Sequence, residues 1–342
     1  MTSGLVRELA SDSVDIIGDV HGEVDALLAL LARLGCDPDR GTVERKIVFV
    51  GDLVDRGPDS GRVIEIAQRL VDAGNAQVVL GNHELNILLD HEKEGNGWIM
   101  GHTDTWWSKS QHIPFASRSV QTEEREGILE FLRSLPVALE SPELRIVHAA
   151  WAPEAIEKAR QSSSLEEFMK PQEVDLTGID LTGAPTSESL CSPEPPVELH
   201  AGLAERQMRE QISQPVKVLT SGLERPIPEG QSPRFLSGKW RLVERNPWWE
   251  DDTDERAVVF GHYWRHRAGS HGVGGKADPF EGIPPTHWFG RKRQAFCVDY
   301  SVGHRYKPRH SGEDLRKDYG LAALRWPERL LFYDDAAAPV QT

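Results

Sequence analysis

Val14-Asp15-Ile16-Ile17-Gly18-Asp19-Val20-His21-Gly22 is an apolar run that stops at a glycine and then delivers a carboxylate and an imidazole two residues apart. A short run closed by a breaker reads as a buried strand with polar side chains at its end. The pattern returns four times. Lys46–Val50 leads into Gly51-Asp52-Leu53-Val54-Asp55-Arg56-Gly57, and Gln77–Leu80 into Gly81-Asn82-His83-Glu84. Arg145–Val147 leads into His148-Ala149-Ala150, and Ala257–Phe260 into Gly261-His262.

Helical stretches separate the first three runs. From Glu23 to Leu34, Val24, Leu27, Leu28, Leu30, Leu31 and Leu34 fall at helical spacing, and Gly35 stops them. Gly61–Ala73 reads as a second helix ended by Gly74, and a third starts near Glu84. Strand–helix–strand–helix–strand implies parallel crossovers with helices flanking a sheet. Later come Ala295–Asp299 and a hairpin over Leu321–Tyr333 around Pro327-Glu328, with few helices between. They predict a second, mixed or antiparallel sheet packed on the first. The expected fold is α/β, a four-layer sandwich of two mixed β-sheets flanked by helices.

The 342 residues carry 39% apolar and 27% charged side chains, an ordinary soluble balance. The whole chain, 1–342, is expected to be one domain. Gln161–Pro196 is rich in Ser, Pro, Thr and Glu, and echoes Asp175-Leu-Thr-Gly as Asp180-Leu-Thr-Gly. With too little apolar content for a separate core, it reads as part of a surface insertion or lid over 152–250. His271–Pro279 reads as a glycine-containing loop. A net charge of −15 excludes broad nucleic-acid binding, which needs a basic footprint. Cys36, Cys191 and Cys297 are widely spaced, which fits a reducing, cytoplasmic setting. No apolar run reaches membrane length.

Each polar cluster follows a strand, and in open α/β sheets ligands bind at those carboxyl ends. Glycine at 18, 51, 81 and 261 lets the chain turn sharply and approach a ligand closely. Asp19 and His21 can face one ion, and Asp52 can bridge two through its two oxygens. Asn82 offers an amide oxygen; His148 and His262 offer imidazole nitrogens. Such mixed ligation suits two divalent metals, manganese first, with iron or zinc as alternatives. Two ions about 3.5–4 Å apart would hold a shared hydroxide and clamp phosphate oxygens. Arg56 matches phosphate oxygens bidentately, and His83, oriented by Asp55, can protonate a leaving alkoxide.

At these residues the chain resembles the calcineurin-like metallophosphoesterase superfamily, and within it the phosphoprotein phosphatase branch. The resemblance implies the metallophosphoesterase fold, with Asp19, His21 and Asp52 on one metal and Asp52, Asn82, His148 and His262 on the other. It also implies His83 with Asp55 as the acid pair, and Arg56 and Asn82 at the substrate. The chain is similar both to bacterial serine/threonine phosphatases and to symmetrical diadenosine tetraphosphate hydrolases. The expected substrate is therefore a phosphoprotein or a nucleotide. The first expectation is a phosphomonoesterase. The alternatives are a symmetrical dinucleoside tetraphosphate hydrolase, a nucleic-acid-end phosphatase, or a degenerate phosphate-binding scaffold.

The chain also departs from the family pattern. His148-Ala-Ala-Trp replaces a small glycine pair and is expected to narrow the loop beside the second metal. Trp264 stands where nuclease-type branches carry a second histidine. A second phosphate arginine is expected among Arg241, Arg245 and Arg265. Trp106-Trp107, Trp240 and Trp248-Trp249 could stack a nucleobase or simply pack. The acidic run Glu250–Glu255 reads as a solvated face, and His91, His102 and His112 are assigned no role.

Overall fold

Val14–Ile17 is a strand with all four residues buried, as a strand covered on both faces requires. Its alternation divides the molecule into layers. Val14 and Ile16 join one apolar cluster with Val48, Leu139, Ile146, Val259 and Phe296. Ile17 joins another with Ile47, Phe49 and the apolar faces of Val24–Arg33 and Ser60–Asp72. Asp15, on the outer face beside Ile17, is neutralised by Arg325 of the neighbouring strand through two 2.8 Å hydrogen bonds. The inner cluster lies between two sheets and the outer one between a sheet and its helices.

The chain is seen in a computed structural model that describes residues 4–102, 104–108, 111–194, 197–236, 238–267, 278–314, 318–335 and 338–342. The first sheet has six strands in the order Val340–Gln341, Leu330–Tyr333, Ala322–Trp326, Val14–Ile17, Lys46–Phe49, Ala76–Val78. Its first four strands run antiparallel and its last two pairings are parallel. The second sheet has five strands in the order Val6–Glu8, Ala138–Glu140, Leu144–Val147, Ala257–Phe260, Ala295–Cys297. Only Ala138–Glu140 and Leu144–Val147 pair antiparallel there. This is the four-layer sandwich of two mixed sheets.

The expected helices appear as Val24–Arg33, Ser60–Asp72 and Asn82–Leu88. The third begins two residues earlier than Glu84, because the Glu84 carboxylate reaches back to accept the Gly81 N–H at 3.0 Å. The strand expected over Ala295–Asp299 stops at Cys297. Asp299 instead turns its carboxylate to the Trp264 and Ser301 N–H groups, at 2.9 and 2.8 Å. Val6–Glu8 and Ala138–Glu140, three residues each, are too short to give a periodic signal.

The described residues of 153–245 form five helices and two short two-stranded ribbons. Val197, Leu203, Ala204, Trp240 and Leu242 form a small cluster of their own there, all of it C-terminal to the Ser- and Pro-rich stretch Gln161–Pro196. Of the two readings left open for the tryptophans, packing holds for the three that are described. Trp249 is fully buried and stacks on Phe280 at 5.4 Å, Trp248 packs on Phe260 at 5.1 Å, and Trp240 sits in the small cluster. None of the three offers a face to a base. The acidic run is not a purely solvated face either: Asp252 and Asp254 neutralise Arg145, buried at the start of its strand, at 2.7 and 3.6 Å. The side chains of Trp106, Trp107 and His112, and residues 271–277 of the expected loop, lie outside the described residues. Among the described residues no helix is long and apolar enough to cross a membrane.

Candidate metal centre

The ends of Val14–Ile17, Lys46–Phe49 and Ala76–Val78 of the first sheet meet those of Leu144–Val147 and Ala257–Phe260 of the second at one place. The backbone is bent to do it. His21, Asp52, Asp55, Arg56 and His262 all sit at φ between 47° and 75°, a left-handed region that costs a non-glycine residue on the order of 1–3 kcal/mol. The Gly57 N–H donates to the His21 carbonyl at 2.9 Å and the Asp55 N–H to Ser60 Oγ at 2.9 Å, holding the bends in place. Gly261 is required by close approach: a Cβ there would lie 2.0 Å from Asp19 Oδ1.

Six side chains form a continuous series of contacts. His21 Nε2 lies 4.0 Å from Asp19 Oδ2 and 3.8 Å from Asp52 Oδ2. The other oxygen, Asp52 Oδ1, lies 3.3 Å from His148 Nε2. His148 Nε2 is 3.2 Å from Asn82 Oδ1, which is 2.7 Å from His262 Nδ1. One buried carboxylate therefore presents its two oxygens to two different imidazoles. Two groups of donor atoms lie within 4.8 Å of one another: His21, Asp52 and His83, and Asp52, His148 and His262. Asp19 stands beside the first group and accepts the His262 N–H at 3.0 Å.

The donor chemistry fits cations. His21 Nδ1 faces the Val54 carbonyl at 3.1 Å and His148 Nδ1 the Val50 carbonyl at 2.9 Å. A carbonyl only accepts, so in both neutral rings Nδ1 carries the hydrogen and Nε2 turns a lone pair inward. Asn82 Oδ1 faces ring nitrogens too; with the amide turned over, its NH₂ would donate to both imidazoles and to the Thr220 carbonyl. A cation is what makes the oxygen-inward orientation favourable, because it satisfies the converging lone pairs together.

Burial alone would lower the His148 pKa, but the Asp52 carboxylate beside it overcomes that and pushes the imidazole up to about 10. Burial alone would raise Asp52; His148 and His83 hold it well below the usual carboxylate range instead. Asp19 is pushed well above that range by burial, reinforced by Asp299. Burial lowers His21 and His262, with Arg56 and Arg245 respectively adding to the effect. Without cations, His148 therefore holds a proton at pH 7, and a divalent ion must displace it. Loading Mn²⁺ at pH 7 should release about one proton per chain, and affinity should fall as the pH falls. Calorimetric titrations in two buffers of different ionisation enthalpy check this; identical heats would contradict it.

Around these donors stand the other expected groups. His83 Nδ1 donates to Asp55 Oδ2 at 2.6 Å. The Arg56 guanidinium donates to His83 Nε2 at 3.0 Å and His21 Nε2 at 3.2 Å. Of the three arginines left open, only Arg245 reaches the site: it lies 3.3 Å from His262 Nε2. Arg265 is buried and donates to the Pro284 carbonyl at 2.6 Å, and Arg241 pairs with Glu224. Trp264 spans the gap, its ring 5.4 Å from the Arg56 guanidinium and 5.5 Å from that of Arg245.

Glu84 is a residue that sequence reasoning missed. Fully buried, it accepts N–H groups from Asp52 at 2.9 Å, Leu53 at 2.7 Å and Gly81 at 3.0 Å. It thereby ties the loops that carry Asp52 and Asn82 together. Burial, reinforced by Asp52, raises its pKa to about 7. The only signal for it in the sequence was its place in Gly81-Asn82-His83-Glu84.

Residues 13–178 match the family model described as calcineurin-like phosphoesterase. An asymmetrical bis(5'-nucleosyl)-tetraphosphatase, PrpE, from Bacillus velezensis is 31% identical over 161 residues, covering 45% of this chain and 62% of that protein. A symmetrical bis(5'-nucleosyl)-tetraphosphatase from Shewanella oneidensis is 32% identical over 152 residues, covering 44% and 48%. The chain spans between 30% and 62% of the length of the first curated relatives it matches. A protein serine/threonine phosphatase from Saccharomyces cerevisiae shares the fold, with a TM-score of 0.50 at 13% identity over 99% of this chain and 84% of that one. The converging donors, the two mixed sheets that bring them together and the match over residues 13–178 agree, and residues 13–178 form a calcineurin-like phosphoesterase domain.

Proposed function

We propose that this chain hydrolyses phosphate esters whose leaving group is an alcohol, as a phosphoprotein-phosphatase-like phosphomonoesterase using two divalent cations. The observation that carries the proposal is Asp52: its two oxygens face His21 and His148 separately, which suits a carboxylate shared by two ions. Asp19, His21 and Asp52 would hold one ion, and Asp52, Asn82, His148 and His262 the other. When bound, such ions neutralise phosphoryl charge and lower the pKa of attacking water.

The chain's own residues supply the rest. Arg56 and Arg245, each with its guanidinium within 5.5 Å of the Trp264 ring, bind phosphoryl oxygens and spread their charge. His83 Nε2 faces the same space; once Arg56, which here donates to it, turns to the phosphoryl oxygens, this nitrogen carries the proton that the leaving oxygen takes up. Asp55 fixes that ring through Nδ1. The segment 152–250 acts as an insertion that brings Arg245 to the site. Manganese is the first choice of metal, with iron or zinc next, and the cytoplasm is the proposed setting.

A second reading, hydrolysis of dinucleoside tetraphosphates, draws support from the named activities of the Bacillus and Shewanella relatives. Steady-state turnover of a phosphoserine peptide and of diadenosine tetraphosphate, each with Mn²⁺, separates the two. The first reading expects preference for the peptide; clear preference for the dinucleotide overturns it in favour of the second. No turnover of either compound or of an aryl phosphate, with the metal site demonstrably loaded, leaves only a phosphate-binding scaffold.

A further inference from the structure

Asp55 has two carboxylate oxygens, and the proposed chemistry uses one. Oδ2 accepts His83 Nδ1–H at 2.6 Å, while Oδ1 accepts the indole N–H of Trp98 at 2.7 Å. Both partners are buried, Asp55 completely and Trp98 to 3% exposure. With each oxygen held by its own donor, rotation of the carboxylate about its Cβ–Cγ bond breaks both bonds at once. A buried carboxylate bonded on one side only would leave the other oxygen's desolvation uncompensated.

Trp98 is itself fixed by the short helix Gly97–Met100 and the chain around it. Asn96 closes the preceding turn, accepting the Lys93 N–H at 3.0 Å and donating to the His91 carbonyl at 2.9 Å. The Trp98 carbonyl accepts the Val120 N–H at 3.0 Å. The same segment holds the next residue of the site, because the Gly95 carbonyl accepts the Arg56 N–H at 3.2 Å, in the bend where Asp55 and Arg56 have φ of 75° and 69°. A Cβ on Gly95 would come within 3.0 Å of Arg56 Cγ.

We infer that Trp98 is a positioning residue for general-acid chemistry at this site, through the bond from its indole nitrogen to Asp55 and onward to His83. The inference rests on the reading of His83 as the acid. In that step the bond from phosphorus to the leaving oxygen breaks, its electron pair stays on that oxygen, and the oxygen takes the His83 proton. Water supplies the hydroxyl on phosphorus and returns a proton to solvent. The need for the acid scales with the basicity of the leaving group, so damage to its alignment should be felt by alcohols and spared by good leaving groups.

The test is a leaving-group comparison on the metal-loaded enzyme. Trp98→Phe should cut kcat about tenfold or more on a phosphoserine peptide and less than about twofold on 2,4-dinitrophenyl phosphate, with KM unchanged. Replacing Trp98 by β-(3-benzothienyl)alanine, which keeps the indole shape and lacks the N–H, should give the same selective loss and covers the case in which Phe leaves the core underpacked. Equal losses on both esters, or none with either substitution, overturn the inference. His83→Gln is the control: it should lose about a hundredfold on the peptide and little on the aryl ester. If His83→Gln shows no such selectivity, the acid reading itself has failed. If it does and the two Trp98 replacements do not, only the Trp98 inference falls.

Discussion

Asp52→Asn should lower turnover by on the order of 10³-fold or more and leave the chain holding fewer than two ions. The substitution keeps the side chain's shape and changes only its charge and one atom. In place of an oxygen, an NH₂ donor would point either at His21 Nε2 or at His148 Nε2, which now stand 3.8 and 3.3 Å from opposite oxygens. Whichever way the amide turns, one set of donors loses its shared ligand. A readout independent of turnover comes from His148. Its raised pKa depends on the Asp52 charge opposing burial. Without that charge burial dominates, and the metal-free imidazole should titrate well below about 10, as followed by NMR. Retained turnover together with two bound ions would show that Asp52 is not shared.

Gly81→Ala should be strongly damaging for so small a substitution. The glycine has an ordinary φ of −95°, so backbone conformation is not the issue. The space is. A Cβ would sit 2.3 Å from both the Asp52 N and Oδ1 and 2.6 Å from Glu84 Oε2. Two of these atoms belong to a hydrogen bond that ties the loops, and the third belongs to the central carboxylate. Relief requires the loops to separate, at about 3 kcal/mol of stability, and a displacement of about 1 Å costs on the order of 10²-fold in rate. Gly127→Ala is the control: it lies within the helix Thr122–Arg133 with nothing within 4 Å of its Cβ. That change should stabilise the chain by about 0.5–1 kcal/mol. Denaturant melts and kcat for both variants decide the matter; equal, mild effects would contradict the packing described.

Much of this was legible in the sequence because the information is local. Val14–Ile17 and Ala257–Phe260 end where their apolar runs end, since a buried strand must stop before the polar side chains that follow it turn toward a common space. The hairpin around Pro327-Glu328 appears as Ala322–Trp326 against Leu330–Tyr333. What could not be read is carried by partners far apart in the chain. Arg241, Arg245 and Arg265 look alike as letters. They separate only when Glu224 takes the first, the Pro284 carbonyl takes the third and His262 stands beside the second. Glu84 passes for an ordinary first-turn acid until its bonds to Asp52 and Leu53, 31 to 32 residues away, are seen. Trp248 and Trp249 resemble a stacking pair in sequence, yet the aromatic cluster with Phe260, Phe280 and Phe289 absorbs their faces.

The most direct test is a crystal of the Mn²⁺-loaded chain measured at the manganese absorption edge. Two anomalous peaks are predicted, one beside His21 and one among Asn82, His148 and His262, with the Asp52 carboxylate between them. A single peak, or two that do not share Asp52, would contradict the account.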